Sequence, residues 1–168
     1  MNERNAIINH LAIVPDGNRR FAKRLMLEPR RGHEWGAKKV TEFLEWCREA
    51  GITEVTLFTF SVENFNRPEE EFSFLMNLFL KEFTELLKDK SVIKDGIKIR
   101  FIGRTAMFPK EVQEVMKKLE EKTKNCSNFI INFAMAYGGR AEIIDATRKI
   151  IKDFQDGKIG LNSINEEK

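Results

Sequence analysis

The sequence predicts an α/β fold in which a single domain carries a mainly parallel sheet flanked by helices. Its length of 168 residues lies in the usual range of one domain. Four short apolar runs rich in β-forming residues alternate with longer stretches of helical period, the pattern of successive strand–helix units. Proline and glycine fall between these segments. We therefore expect residues 1–168 to form one domain.

The four apolar runs are the expected strands. They span Leu11–Pro15, Glu54–Phe60, Ile97–Ile102 and Phe129–Ala136. In the third run the apolar residues alternate with Lys98 and Arg100, which favours a half-buried strand near an edge of the sheet. A sheet of only four strands also leaves an edge without a partner.

Three stretches between or after the strands have apolar residues at helical spacing, so each is expected to turn one face to the core. The three faces are Trp35, Val40, Phe43, Leu44 and Cys47; Val112, Val115, Met116 and Leu119; and Ile143, Ile144, Ile150, Ile151 and Phe154. Gly51 and Gly157 mark the ends of the first and third helices.

The stretch Glu70–Lys88 differs because apolar residues lie on two of its sides. Its main face comprises Phe72, Leu75, Met76, Phe79, Phe83 and Leu86. Phe74 and Leu78 lie on another side. Both sides could pack inside the protein, or the second could form the wall of a channel for an apolar ligand.

Composition narrows the class of protein. No apolar run has the length of a membrane span, residues 1–9 lack the apolar core of a signal peptide, and two cysteines do not form a disulfide framework. We therefore expect a soluble protein of the reducing cytoplasm.

A net charge of +3 is too small to indicate a nucleic-acid partner. Residues 19–39, however, hold eight basic residues against two glutamates. This cluster suits an anionic ligand, or it is a solvated basic helix face.

Polar residues follow three of the expected strands at the edge where open α/β sheets bind ligands. The segments are Asp16–Arg20, Ser61–Arg67 and Tyr137–Arg140. In the first, Gly17 lets the backbone approach a ligand, and a helix starting near Asn18 offers free N–H groups. Arg19 and Arg20 can grip phosphate oxygens. Asp16 would hold Mg²⁺ beside a phosphate. The alternative is that Asp16 caps a helix and the arginines face solvent.

The second segment places a hydroxyl, a carboxylate, two amides and a guanidinium within seven residues. A capped turn closed by Pro68 explains the hydroxyl and the amides but gives Glu63 and Arg67 no role. His33 has no metal partner at a suitable spacing, since His10 is the other histidine. We interpret His33 as a phosphate contact at a helix start.

Four motifs in order resemble the cis-prenyltransferases, the family of undecaprenyl diphosphate and dehydrodolichyl diphosphate synthases. They are His10–Lys23 (HLAIVPDGNRRFAK), the pair Gly32-His33 followed by Gly36, Phe60–Pro68 (FSVENFNRP) and Ala136–Arg140 (AYGGR). The resemblance runs from about residue 10 to residue 160. It implies an undecaprenyl diphosphate synthase-like fold and a Mg²⁺-dependent enzyme. That enzyme adds isopentenyl diphosphate repeatedly to an allylic prenyl diphosphate, forming a cis double bond each time.

The resemblance also implies residue roles. Asp16 would be catalytic and hold Mg²⁺, and Asn64 would assist proton removal or orient the substrate. The residues implied to bind substrate are Gly17, Asn18, Arg19, Arg20, Phe21, Arg30, His33, Ser61, Val62, Glu63, Phe65 and Arg67. Phe21 replaces the family's Trp or Tyr, and Arg30 or Arg31 would replace a phosphate-binding arginine that aligns near Pro29.

One departure concerns the second substrate. Family members carry an isopentenyl-diphosphate-binding signature, Arg-x-x-Gly-Glu-x-Arg-x-Ser, which does not occur in residues 1–168. We expect a C-terminally incomplete family fold, either truncated or completed by a partner. The family implies a homodimer, and membrane contact would be peripheral at most, through the lipid product. A non-catalytic subunit that binds prenyl diphosphate and an unrelated phosphate-binding module are the alternatives.

Overall fold

The computed structural model describes residues 8–165. Its strands and α-helices are β1 (His10–Ile13), α1 (Asn18–Arg24), α2 (Pro29–Glu49), β2 (Glu54–Ser61), α3 (Glu69–Lys88), α4 (Ser91–Lys94), β3 (Ile97–Ile102), α5 (Lys110–Thr123), β4 (Phe129–Tyr137) and α6 (Gly139–Gln155). Short 3-10 helices span Val62–Asn66, Thr105–Met107 and Leu161–Ser163. The first seven residues, where a signal peptide would begin, and the last three, at the end of the expected domain, lie outside the described part.

The sheet has four parallel strands in the order β1-β2-β4-β3, which confirms the predicted α/β class. The alternating strand β3 lies at an edge, as its sequence indicated. Val55 pairs with Leu11 on one side and with Ile131 on the other, so β2 occupies the interior of the sheet. Because all strands run in the same direction, the three polar segments that follow β1, β2 and β4 meet at one edge of the sheet.

The core lies between the sheet and the helices α3 and α5. Leu57, Ile99 and Met135 are buried from the sheet side. All four members of the predicted α5 face are buried, and so are Leu75, Met76, Phe79 and Phe83 of the main α3 face. Five phenylalanine rings form a cluster in which each ring contacts at least two others: Phe60, Phe65, Phe72, Phe79 and Phe108. The phenylalanine-rich composition therefore fills the space beneath the loop that follows β2.

One predicted core face has an exception and another is wrong. On α2, Cys47 is buried and Val40, Phe43 and Leu44 pack against the core, but Trp35 is exposed. On α6, no residue is buried, and Ile143 is 68% exposed. A bidentate ion pair, Arg104 to Asp145 at 2.7 and 2.9 Å, ties α6 to the segment after β3. The helical period identifies an apolar stripe correctly, but it does not say what covers that stripe. Among the described residues, no helix is long and apolar enough to cross a membrane.

Candidate functional site

The turn after β1 is built around a left-handed glycine. Gly17 has a φ of 95° and is the N-cap residue of α1, directly before Asn18. The Asp16 side chain forms hydrogen bonds within this turn. Its Oδ1 accepts a hydrogen bond from the Gly17 N–H at 2.5 Å, and its Oδ2 accepts one from Arg20 Nη2 at 2.7 Å. The N-cap of α1 is therefore Gly17 and not Asp16, while Arg19 and Arg20 are exposed as the alternative interpretation expected. The Asp16 side chain is exposed and holds Arg20 beside the turn.

Two glycines of α2 fix the position of this turn. A Cβ on Gly36 would lie 2.5 Å from Asn18 Oδ1, and one on Gly32 would overlap the Asn18 carbonyl oxygen. Gly32 and Gly36 are four residues apart, so they lie on the same face of the helix. The Asn18 segment packs directly into the groove that they leave. Gly32 and Gly36 therefore allow α1 to pack closely against α2. This packing fixes the positions of Arg19 and Arg20 on α1.

Glu71, in the first turn of α3, gathers three cationic or ring nitrogens of the site. Its Oε1 lies 3.1 Å from His33 Nε2 and 3.7 Å from Arg19 Nε, and it accepts a short hydrogen bond from Arg67 Nη1. The carboxylate is only 13% exposed. Arg67 Nε is buried and has no hydrogen-bond partner among residues 8–165. Glu71 therefore joins α1, α2 and the loop after β2 at one point.

The environment sets the charges in this cluster. Burial lowers the pKa of His33 below its ordinary value, although the hydrogen bond to Glu71 acts in the opposite direction. Burial would raise the pKa of Glu71, but His33, Arg67 and Arg19 together lower it. At neutral pH the imidazole is therefore neutral and Glu71 is ionised. Since the carboxylate offers only acceptors, the His33 proton lies on Nε2 and Nδ1 stays available as an acceptor.

The loop after β2 is held by its own side chains. The Ser61 N–H donates to Asn64 Oδ1 at 3.0 Å within a capping box. The pairing of β2 with β4 is irregular just before it, between Phe58 and Ser61. Such irregularities re-aim side chains at the ends of strands. With Oδ1 engaged, the Asn64 amide nitrogen remains as a donor.

A cavity of about 1310 Å³ opens at this edge of the sheet and continues between α2, α3 and the sheet. Nine of the residues implied by the family resemblance line its polar end: Asp16, Gly17, Asn18, Arg19, Arg20, His33, Ser61, Asn64 and Arg67. Its apolar part includes Val40, Leu44, Leu75, Leu78, Phe83 and Ile131. The second apolar side of α3 thus contributes Leu78 to the cavity wall, whereas Phe74 is not among the lining residues.

Other predicted site residues lie apart from the cavity lining. Phe65 belongs to the phenylalanine cluster, and Phe21 contacts Trp35 with ring centroids 5.3 Å apart. Arg30 is exposed and pairs with Glu28. Val62 lies next to Gly138. Glu63 is exposed, and bonds from its own backbone and the Ser61 hydroxyl, with the charge of Arg140, lower its pKa.

Sequence reasoning did not identify Glu71. The one available signal was its spacing of four residues from Arg67, which allows an ion pair along a helix. Its contacts with His33 and Arg19 depend on how α3 packs against α1 and α2, and no local pattern gives that arrangement.

Magnesium can be tested against the donors present. Within residues 8–165, no group of three or more His, Cys, Asp and Glu side chains is arranged to hold a metal ion. Asp16 supplies one exposed carboxylate at the cavity mouth. Mg²⁺ commonly binds through one or two carboxylates together with water and substrate phosphates. These donors therefore fit magnesium when a diphosphate accompanies it.

Comparisons with known proteins identify the family of this chain. A family model described as putative undecaprenyl diphosphate synthase matches residues 14–168. Two curated relatives are named tritrans,polycis-undecaprenyl-diphosphate synthase (geranylgeranyl-diphosphate specific). The relative from Thermococcus kodakarensis is 47% identical over 96% of this chain and 61% of its own length. The relative from Pyrococcus abyssi is 46% identical over 94% and 60%. The chain thus spans about three fifths of the length of these relatives.

Solved structures agree with the fold. The lavandulyl diphosphate synthase from Lavandula x intermedia, in complex with dimethylallyl diphosphate, superposes with a TM-score of 0.86. It is 28% identical, and the match covers 95% of this chain and 67% of that one. A probable undecaprenyl diphosphate synthase from Campylobacter jejuni gives a TM-score of 0.72 at 34% identity, covering 99% and 67%.

The family match over residues 14–168 excludes an unrelated phosphate-binding module. The chain belongs to the undecaprenyl diphosphate synthase family, the cis-prenyltransferases.

Proposed function

We propose that this chain carries the allylic-diphosphate half of a cis-prenyl elongation site. In this reaction an allylic prenyl group is transferred to isopentenyl diphosphate, and repeated transfer gives a long-chain polyprenyl diphosphate for lipid carrier synthesis. One observation carries the proposal: a single cavity runs from a cationic mouth to an apolar wall. A prenyl diphosphate has the same division, with a polyanionic head and a hydrocarbon tail.

The head group would be held by the turn after β1 and its neighbours. Arg19 and Arg20 supply guanidinium donors, and the first N–H groups of α1 face the same space. Burial lowers the pKa of His33 and so favours the neutral ring, and a proton on Nε2 toward Glu71 would leave Nδ1 as an acceptor. A diphosphate at Nδ1 would favour a second proton on the ring, because imidazolium donates from both nitrogens. We therefore propose that His33 gains charge when the substrate binds.

The chemical step breaks the allylic carbon–oxygen bond and forms a carbon–carbon bond to isopentenyl diphosphate. It releases inorganic diphosphate and one proton. Arg19, Arg20 and His33 would stabilise the negative charge that grows on the leaving diphosphate, because these donors are already in place. Mg²⁺ held by Asp16 and the diphosphate oxygens would neutralise part of the same charge. The apolar wall would keep water from the reacting carbon.

Asn64 and Arg67 would act from the loop after β2. The Ser61 N–H already occupies one acceptor position of Asn64 Oδ1. Since the amide then offers its nitrogen as donor, orientation of a diphosphate suits Asn64 better than removal of a proton. Arg67 is fixed by Glu71 through Nη1, which leaves its buried Nε for a ligand oxygen.

The allylic starter is proposed to be geranylgeranyl diphosphate, since the names of both archaeal relatives specify it. The isopentenyl site would draw on residues beyond those described, either from a longer polypeptide or from a partner in a homodimer or heteromer. We further propose that residues 1–168 belong to one domain, and that the protein acts in the cytoplasm with at most peripheral membrane contact.

A titration with geranylgeranyl diphosphate and Mg²⁺ tests this proposal without requiring turnover. Arg20→Ala should weaken binding by at least tenfold. Asp16→Ala should retain much of the starter affinity but abolish elongation in an assembly that is active with the unaltered chain. A chain that does not bind prenyl diphosphate would contradict the proposal. Equal losses of affinity in both variants would contradict the assigned roles.

A further inference from the structure

In the turn between α1 and α2, one residue is unusual both in its exposure to solvent and in its backbone conformation. Met26 is 95% exposed and has a φ of 54°. It follows the last residues of α1 in a Schellman motif, in which Leu27 N–H donates to Ala22 O at 2.9 Å and Met26 N–H to Lys23 O at 3.1 Å. Glycine normally occupies this position because a Cβ is strained there. A large apolar side chain that is both strained and solvated indicates a functional surface.

Met26 is the centre of a larger apolar surface, here called the apolar tip: Phe21, Leu25, Met26, Leu27 and Trp35. All five residues are exposed. Phe21 and Leu25 lie one turn apart on α1, and Phe21 contacts the ring of Trp35. The tip is therefore continuous from α1 through the turn to the start of α2. Leucine, methionine and aromatic residues of this kind enter the interfacial layer of membranes.

Positive charge surrounds the apolar tip. Residues 19–31 contain six basic residues and one acidic residue. Lys23 and Arg24 occupy the last turn of α1, directly before Leu25, and both are exposed. Basic residues next to an apolar insertion bind the anionic surface of a bilayer.

The exposed stripe of α6 provides a contrast within the same molecule. Residues 139–155 contain four basic and three acidic residues, so charges of both signs flank the isoleucines of α6. A mixed surface of this type suits a protein partner. The surroundings of the apolar tip are mainly basic, although Glu28 pairs with Arg30 and Glu34 with Arg31, and this excess of positive charge suits an anionic lipid surface.

We propose that the apolar tip docks this protein on membranes that contain anionic lipids. The tip inserts Met26 and its two leucine neighbours between head groups, while Lys23 and Arg24 contact lipid phosphates. Lys23, Met26 and Leu27 also line the mouth of the cavity. Docking through the turn needs no bound diphosphate, so vesicle binding is measured without prenyl diphosphate and the prenyl diphosphate titration is measured without vesicles. The two proposals can then fail separately.

Cosedimentation with vesicles tests the docking. One set of vesicles contains phosphatidylcholine alone, and the other contains phosphatidylcholine and phosphatidylglycerol in a ratio of about 3:1. We expect binding to the anionic vesicles at least tenfold tighter than to the neutral ones and weakened by salt. Met26→Asp should lower this affinity at least tenfold, and it should fold because aspartate tolerates the left-handed conformation. Arg24→Glu should lower it about tenfold.

Met107→Asp is the matched control. Met107 is also exposed, but it follows β3 at the opposite edge of the sheet from α1. This variant should bind as the unaltered chain does. Undetectable binding to anionic vesicles, or the same affinity for Met26→Asp and the unaltered chain, would overturn the proposal.

The two tryptophans report which part of α2 reaches the membrane. Trp35 belongs to the tip, and Trp46 lies eleven residues later, about 16 Å along the helix. In a Trp46→Phe background, the emission of Trp35 should shift to shorter wavelength when anionic vesicles are added. In a Trp35→Phe background, Trp46 should shift less. An equal or larger shift at Trp46 would mean that α2 lies flat on the bilayer and would overturn docking through the tip.

Discussion

His33 and Glu71 lie 38 positions apart in the chain, yet His33 Nε2 is 3.1 Å from Glu71 Oε1. This hydrogen bond joins α2 to α3, the two helices that enclose the cavity. The same oxygen holds Arg67. Glu71 therefore fixes His33 and Arg67 of the cationic mouth, although Glu71 does not itself line the cavity. Removing the Glu71 carboxylate should lower the stability of the fold and displace these binding groups.

Glu71→Gln should lower the free energy of unfolding by about 1–3 kcal/mol, because the mostly buried Arg67 loses its ionic partner. Urea unfolding measures the change. Glu70→Gln is the matched control, since Glu70 is exposed in the same first turn of α3 and removes the same charge from the helix terminus. The control should change stability by no more than about 0.5 kcal/mol. Equal effects would mean that Glu71 acts only through the helix dipole.

Stability should fall when the pH is lowered from 7 through the ordinary His33 pKa of 6.5. The folded-state pKa is lowered, so in this window the unfolded chain binds more protons than the folded chain. Glu71 adds a loss at lower pH, because its folded pKa is also lowered from its ordinary value of 4.5. His33→Gln should flatten the upper window, between pH 7 and the folded pKa of His33. Thermal unfolding across pH 5–8 checks the difference, and an unchanged profile in the variant would assign the acid sensitivity to another group.

Met26→Gly should raise stability by about 0.5–1 kcal/mol, since glycine adopts a φ of 54° without the Cβ strain. For a chain of this length the melting temperature should rise by about 1–4 °C. The gain should accompany a loss of vesicle affinity, because the inserting side chain is gone. A melting temperature that stays constant or falls would show that the methionine is not strained in its turn.

Gly32→Ala should lower stability by about 1–3 kcal/mol, because the added methyl group overlaps the Asn18 carbonyl oxygen and pushes α1 from α2. Gly139→Ala serves as control, since a Cβ there meets no atom within 4 Å. Binding of prenyl diphosphate should weaken in Gly32→Ala alone, because the arginines of α1 move with the turn. A Gly32→Ala variant as stable as the control would disprove the close packing of these helices.

The strands were predictable to within two residues because their runs of β-branched and aromatic residues are bounded by turn-forming residues. β2, for example, begins at Glu54 as predicted and extends one residue further, to Ser61. The site was predictable where residues follow strands directly, since parallel strands bring their carboxyl ends to one edge. That reasoning places Asp16, Asn64 and Arg67 at the same edge, and all three line one cavity.

What the sequence could not supply depends on contacts between distant helices. In the sequence, Glu71 is one of three consecutive glutamates at the start of a helix. No neighbouring residue in the sequence distinguishes its role from that of Glu70. Phe65 stands beside the polar residues in sequence but turns to the phenylalanine cluster in space. The apolar stripe of α6 is a different case. Its helical pattern is strong and predicts a core face, but the pattern alone does not identify the surface that covers the stripe.

The strand order also bears on how this molecule is made. Thr56 and Asn132 are register partners in neighbouring strands, although 76 positions separate them. Within residues 8–165 no two neighbouring strands are joined by a hairpin, so each of these pairings must close a long loop of chain. Folds with such distant pairings form slowly, and their strands stay exposed until the partner arrives. We therefore expect the edge of β2 that pairs with β4 to stay unpaired during synthesis until β4 has left the ribosome, and an unpaired strand edge favours aggregation.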